Sequence, residues 1–174
     1  MKIAVIYDSK TGNTKKMAEY IIEGIRSVDT MEAELFSIAQ INDSYVKECA
    51  AVIVGTPTHY ATLSGAVKMW LDEMPNTYDW SGKLAGAFAT AAYAHGGGDI
   101  AIQSILSHFL ITGAMVYSGG GAYGFPTIHL GPVAINSDLE NYRKLFTLYG
   151  QRFAIQTHST RQERRIRPVN SDNS

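Results

Sequence analysis

The residues best suited to chemistry stand in one short run, Ser9-Lys10-Thr11-Gly12-Asn13-Thr14, directly after the apolar stretch Ile3 to Tyr7 and directly before an amphipathic pattern. Three hydroxyls around a turn-permitting glycine, at the start of a helix, make an anion cradle. The first N–H groups of a helix have no intrahelical partners, the helix dipole favours negative charge at that end, and hydroxyls add donors without adding countercharge. Ser, Thr and Asn also favour ordinary helix capping, but their density at one strand-to-helix junction points to a phosphate. Other phosphate motifs fail. No Walker-type loop is present, and Gly119 to Gly124 fits the dinucleotide glycine pattern only until Phe125-Pro126 follows where a helix would have to begin. It reads as a glycine-rich loop beside the ligand.

The elements that must position this run are legible from periodicity. Ile3 to Tyr7, Ala51 to Gly55, Leu84 to Ala92 and Ala114 to Tyr117 are short apolar runs without alternation, the pattern of strands covered on both faces, whereas Glu32 to Phe36 alternates like an edge strand. Between them, Thr14 to Val28 carries one apolar stripe. Ser64 can cap a helix over Gly65 to Met74, and Gly98 to Ile111 reads as a largely buried helix ended by Gly113. Ser137-Asp138-Leu139-Glu140 reads as a capping box that opens a last helix reaching about His158. This βα alternation predicts an α/β fold, a doubly wound five-stranded parallel sheet in the order 2-1-3-4-5. Ligands of such sheets lie at the carboxyl ends of the strands, beside the switch point, which places function in the loops after Tyr7, Gly55 and Ala92.

Composition removes several alternatives. The chain has 174 residues, enough for one domain, predicted over residues 1–159, with an Arg-rich tail at 160–174 expected to be disordered. A net charge of -1 gives no basic surplus for nucleic acid. A lone Cys49 forms no internal disulfide and suits a reducing compartment. No apolar run approaches bilayer-spanning length, so the expectation is a cytoplasmic protein without membrane insertion. Metal-ligand spacings and a nucleophile elbow are missing from the sequence, which leaves no metal site and no catalytic side chain to name.

Tyr7-Asp8-Ser9-Lys10-Thr11-Gly12-Asn13-Thr14 resembles the FMN phosphate loop of flavodoxins. Gly55-Thr56-Pro57-Thr58-His59-Tyr60, followed by Ser64-Gly65, resembles the flavin-ring loop of the Trp-repressor-binding-protein-type NAD(P)H:quinone oxidoreductases. The likeness spans residues 1 to about 158 and continues in Trp80-Ser81-Gly82-Lys83-Leu84 and Gly96-Gly97-Gly98. It implies a flavodoxin-like fold with FMN held by Ser9, Lys10, Thr11, Gly12, Asn13 and Thr14 at the phosphate. Pro57, Thr58, His59, Tyr60, Ala92, Tyr93, His95, Gly96 and Gly97 would lie at the ring. It further implies NAD(P)H as reductant, a small acceptor such as a quinone, and a homo-oligomer, dimer or tetramer, in which Trp80 would cover a neighbour's flavin or else serve the core. Three features depart from that family: His59 stands in place of an Arg, Tyr93 and His95 replace smaller residues, and a long insertion before the third strand is missing.

The ring loops make physical sense on their own terms. Pro57 stiffens the first loop, Thr58 offers hydrogen bonds to a polar ring edge, and Tyr60 supplies a flat surface for stacking. Tyr93 and His95 precede glycines that let backbone N–H groups approach a ring carbonyl. A cradle built for a terminal phosphate favours FMN over FAD. Two functions then compete: an enzyme moving electrons from NAD(P)H to a small acceptor, and an electron carrier serving partner proteins. Carriers steer by strongly acidic surfaces, yet residues 1–159 hold eleven basic against fourteen acidic groups. The ring loops, Thr56 to Ala61 and Ala92 to Gly98, contain two histidines and no carboxylate, which favours two-electron chemistry and hence the enzyme.

Overall fold

In the computed structural model, which describes residues 1–166, the apolar runs become the strands of one sheet. The elements follow in the order β1 (Lys2–Tyr7), α1 (Asn13–Arg26), β2 (Glu32–Ser37), α2 (Asp43–Glu48), β3 (Ala51–His59), β4 (Thr62–Leu63), α3 (Gly65–Glu73), β5 (Leu84–Ala91), α4 (Gly98–Ile111), β6 (Met115–Val116), β7 (Val133–Ile135) and α5 (Arg143–Ile166). The spatial order is β2-β1-β3-β5-β6, all parallel, so the expected five-position doubly wound sheet is present, with β2 at its edge. The fifth position is divided. β6 pairs with Leu84 and Ala85 at the start of β5, and β7 pairs with Ala89 to Ala91 at its end.

Alternate residues of the central strands feed two cores. Ala4, Ile6, Val52, Val54 and Ala87 face Val67 and Leu71 of α3 and Ala101, Ile102, Ile105 and Phe109 of α4. Ile3, Val5, Ile53 and Phe88 face Met17, Ile21 and Ile25 of α1 and Phe146, Tyr149 and Phe153 of α5. Full burial of one such large side chain contributes roughly 1.5–3 kcal/mol, and it is this double coverage that makes the strand sequences continuously apolar. Trp80 is 1% exposed and packs edge-on against Tyr78 and Phe109, so it belongs to the core and is closed off from any neighbouring subunit.

Two boundaries differ from expectation. The capping box at Ser137 does not open the last helix: Leu139–Tyr142 forms a 3₁₀ turn, Asp138 makes no side-chain cap, and Glu140 is drawn to Lys16 and Tyr20 of α1 instead. The last helix also runs past His158 to Ile166. Of the tail expected to be disordered, residues 160–166 are therefore helical, and 167–174 lie outside the described residues. Among the described residues no helix is long and apolar enough to cross a membrane.

Candidate functional site

The four shorter helices start in two different ways. α2 and α3 have side-chain caps, the Asn42 Oδ1 accepting from the Tyr45 N–H and the Ser64 Oγ from the Val67 N–H. α1 and α4 start instead from left-handed glycines, Gly12 at φ 89° and Gly97 at φ 92°, with no side-chain cap. Their first N–H groups are thus left for another acceptor, and they follow β1 and β5, at the carboxyl edge of the sheet.

Around α1 the cradle is open. The Ser9 Oγ accepts a 3.1 Å hydrogen bond from the Gly12 N–H and closes the loop, Lys10 and Thr11 are exposed, Asn13 is half-buried, and a Cβ placed on Gly12 would meet nothing within 4 Å. Thr14 is the exception. It is 1% exposed, and its hydroxyl lies 2.9 Å from that of Thr90 near the end of β5, so it faces inward and not into the open cradle.

At the ring loops, β3 continues beyond Gly55 through Pro57, Thr58 and His59, then folds back on itself. His59 pairs with Thr62 and Thr58 with Leu63, leaving Tyr60 and Ala61 as a two-residue turn at φ 48° and 63°. Tyr60 stands fully out of the protein, at 104% exposure. The base of this hairpin is tied down: the Ser64 N–H donates to the Thr56 Oγ1 at 2.9 Å, and the Ser64 hydroxyl donates to Asp8 at 2.7 Å. Its tip rests on the second loop. A Cβ at Gly97 would come within 2.5 Å of the Ala61 Cα, so only glycine permits this approach, and residues distant in sequence meet there. Ala92, Tyr93 and His95 are exposed beside it, and the Gly96 N–H donates to the Tyr93 carbonyl at 3.0 Å.

These groups fit FMN. An open helix start with neighbouring hydroxyls suits a phosphate monoester, the Thr58 Oγ1 is buried without a hydrogen-bond partner, and exposed tyrosines on the two ring loops offer flat apolar surface. Cys49, by contrast, is wholly buried, and burial pushes its thiol up to about 12, which removes it as a nucleophile. No group of metal-ligating side chains occurs among the described residues.

Sequence reasoning did not identify Thr90, Asp8 or Ser64 as site braces, and it gave His108 no role, although that ring contacts Asp72 at 3.1 Å beside the hairpin. It also passed over Arg152. This residue is 6% exposed and donates to the carbonyls of Gly119, Gly120, Tyr123, Gly124 and Pro126, so the glycine-rich loop is organised by a guanidinium. The only signal for Arg152 is a charge inside the apolar stripe Tyr149 to Phe153.

Comparison with known proteins bears on this site. Residues 43–129 match the family model described as NADPH-dependent FMN reductase. The chain is 40% identical over 154 residues to a flavodoxin of Clostridium saccharobutylicum, covering 88% of this chain and 96% of that one. It is 26% identical over 166 residues to an NAD(P)H dehydrogenase (quinone) of Chromohalobacter salexigens, covering 73% of this chain and 83% of that one. Its fold resembles the crystal structure of the flavodoxin, WrbA-like protein from Agrobacterium tumefaciens, with a TM-score of 0.76 at 23% identity, over 91% of this chain and 98% of the other.

Proposed function

Because the chain belongs to the FMN-binding flavodoxin-like family, we propose that it is an FMN-dependent oxidoreductase that takes electrons from NAD(P)H and delivers them to a quinone or similar small acceptor. The observation that carries this reading is the meeting of two exposed ring loops at Ala61 and Gly97, neither of which contains a carboxylate. The family model for NADPH-dependent FMN reductases and the quinone-reducing relatives support it.

In this reading the N–H groups opening α1 and the hydroxyls of Ser9 and Thr11 hold the phosphate, with Lys10 and Asn13 beside it. Thr58 and the backbone from Ala92 to Gly97 bind the polar ring edge, while Tyr60 and Tyr93 shield the faces. Thr14 acts from behind, fixing the cradle against β5 through Thr90. Bound FMN supplies the hydride acceptance and electron release that no side chain here can provide. An uncharged rim around the ring leaves an anionic reduced flavin unopposed and admits apolar acceptors.

A second reading, an electron carrier serving partner proteins, is favoured by the flavodoxin that is 40% identical over nearly its whole length. NADH and NADPH oxidation with benzoquinone as acceptor separates the two. Turnover above that of free FMN is expected of the enzyme; its absence, with electrons accepted only from a reductase protein, would identify the carrier.

A further inference from the structure

The sequence of α4 is that of a helix covered on every side. Among its 14 residues, Gly98–Ile111, Asp99 is the one carboxylate and there is no Lys or Arg, and a helix apolar nearly all round belongs in an interior. The fold covers only one side of it. Ala101, Ile102, Ile105 and Phe109 lie in the core, whereas Ile100 is 54% and Ile111 85% exposed. These two isoleucines end an outer stripe, Ile100, Ser104, Ser107 and Ile111, whose members follow one another along one helix face. The stripe reads the same in both directions. Gln103 and His108, which flank it, obey the same symmetry, each lying three residues inside one of the isoleucines. The middle of the stripe is narrow, because both residues there are serines. Their hydroxyls are already satisfied within the helix, donating to the Ile100 carbonyl at 2.8 Å and to the Gln103 carbonyl at 2.9 Å.

We propose that this stripe is the contact of a two-fold homodimer, in which α4 packs antiparallel on α4 of a second copy. In an isologous contact, if one residue meets another then the second meets the first, so an antiparallel helix face that pairs with itself must be palindromic. Here Ile100 lies opposite the partner's Ile111, Ser104 opposite the partner's Ser107, and Gln103 opposite the partner's His108. Apolar side chains meet at both ends, and small ones meet at the crossing, where they let the two backbones approach closely. Covering the serines strands no donor, since each hydroxyl keeps its own carbonyl. A helix spans only about 1.5 Å per residue, and a standard interface buries about 800 Å² on each partner, so α4 needs neighbouring surface. The groove beside it supplies such surface. Ser104, Ser107 and Ile111 line that groove together with Leu63 and Tyr60, so the partner's Ile100 end lies over it and the contact extends to the ring hairpin. A protein of different sequence has no use for the palindrome, and an electrostatically steered one would need charge that this face lacks. The second copy is therefore the occupant, under either functional reading above.

The test is sedimentation equilibrium of the full chain, 19.0 kDa per copy, at micromolar concentration. It is repeated with Ile100→Lys, Ile111→Glu and the double variant. Both side chains are exposed, and unchanged far-UV circular dichroism confirms that the variants fold. The parent is expected at twice the chain mass. Each single substitution sets a charge against an apolar partner and should weaken association at least tenfold. In the double variant the two new charges are opposite in sign and face each other only across the antiparallel pair, so it should associate more tightly than either single variant. A parent that stays monomeric, a dimer that ignores both single substitutions, or a double variant no tighter than the single ones would overturn the proposal.

Discussion

The hydroxyls of Thr14 and Thr90 lie 2.9 Å apart, both buried, and join the first turn of the helix after β1 to the end of β5. One short contact therefore couples the proposed phosphate cradle to the strand that carries the second of the proposed ring loops. Thr14→Val leaves the Thr90 hydroxyl buried without its partner, at an expected cost of about 1–3 kcal/mol. The double variant Thr14→Val/Thr90→Val should cost less than the two single changes together, because no orphaned hydroxyl remains. Urea denaturation of all four proteins checks this. Additive losses would mean that the pair is not a mutual hydrogen bond.

The two-residue turn at the tip of the ring hairpin holds Tyr60 and Ala61 in the left-handed region, where hairpins of this kind normally place Asn-Gly. Such a backbone costs a residue with a Cβ roughly 1–2 kcal/mol. Ala61→Gly should raise stability by about 0.5–1 kcal/mol, part of the relief being offset by greater freedom in the unfolded chain. A denaturation midpoint unmoved or lowered by Ala61→Gly would contradict the strained turn.

Arg152 should be the most sensitive position outside the site. Arg152→Met keeps the length of the side chain but leaves the carbonyls of Gly119, Gly120, Tyr123, Gly124 and Pro126 without their donor. The expected loss is on the order of 2–4 kcal/mol. Chymotrypsin should also cut faster after the exposed Tyr123, since the loop would no longer be anchored. An unchanged cleavage rate would show that other contacts hold the loop.

Much of the fold was readable because parallel strands buried on both faces have an unmistakable composition, as in Ala51 to Val54. The divided fifth strand was not, because β7 is only Val133–Ile135, too short for any period, and a long loop parts it from β6. The hairpin after β3 was missed since Tyr60-Ala61 carries no turn signature, and its tip meets Gly97, which is distant in sequence. The open glycine-started helix after β1 lies where local residue types suggested a cradle, but the inward turn of Thr14 was not legible. The braces behind it, Thr90 and Ser64, depend on pairings across the sheet that a linear reading does not display.

Alkaline pH should reveal Cys49. Its thiol is raised from 9.0 to about 12 by burial, and its Sγ donates to the Tyr45 carbonyl. A folded-state value above the unfolded one means that the contribution to stability is complete below about pH 9 and is lost as the pH rises toward 12. Cys49→Ala should therefore lose less stability than the parent between pH 8 and 10.5, by about 1–2 kcal/mol. Parallel pH curves would place the thiol in a more accessible setting.

The central claim, that the glycine-started helix after β1 is a phosphate cradle for FMN, is tested most directly by titrating flavin-free protein with FMN and with riboflavin. The two ligands differ only in the phosphate. The account predicts one FMN per chain, bound at least a hundredfold more tightly than riboflavin, and a loss of about 10- to 100-fold in FMN affinity for Thr11→Val, as expected for one hydrogen bond to a charged group. Equal affinity for FMN and riboflavin, or no binding of either, would contradict it.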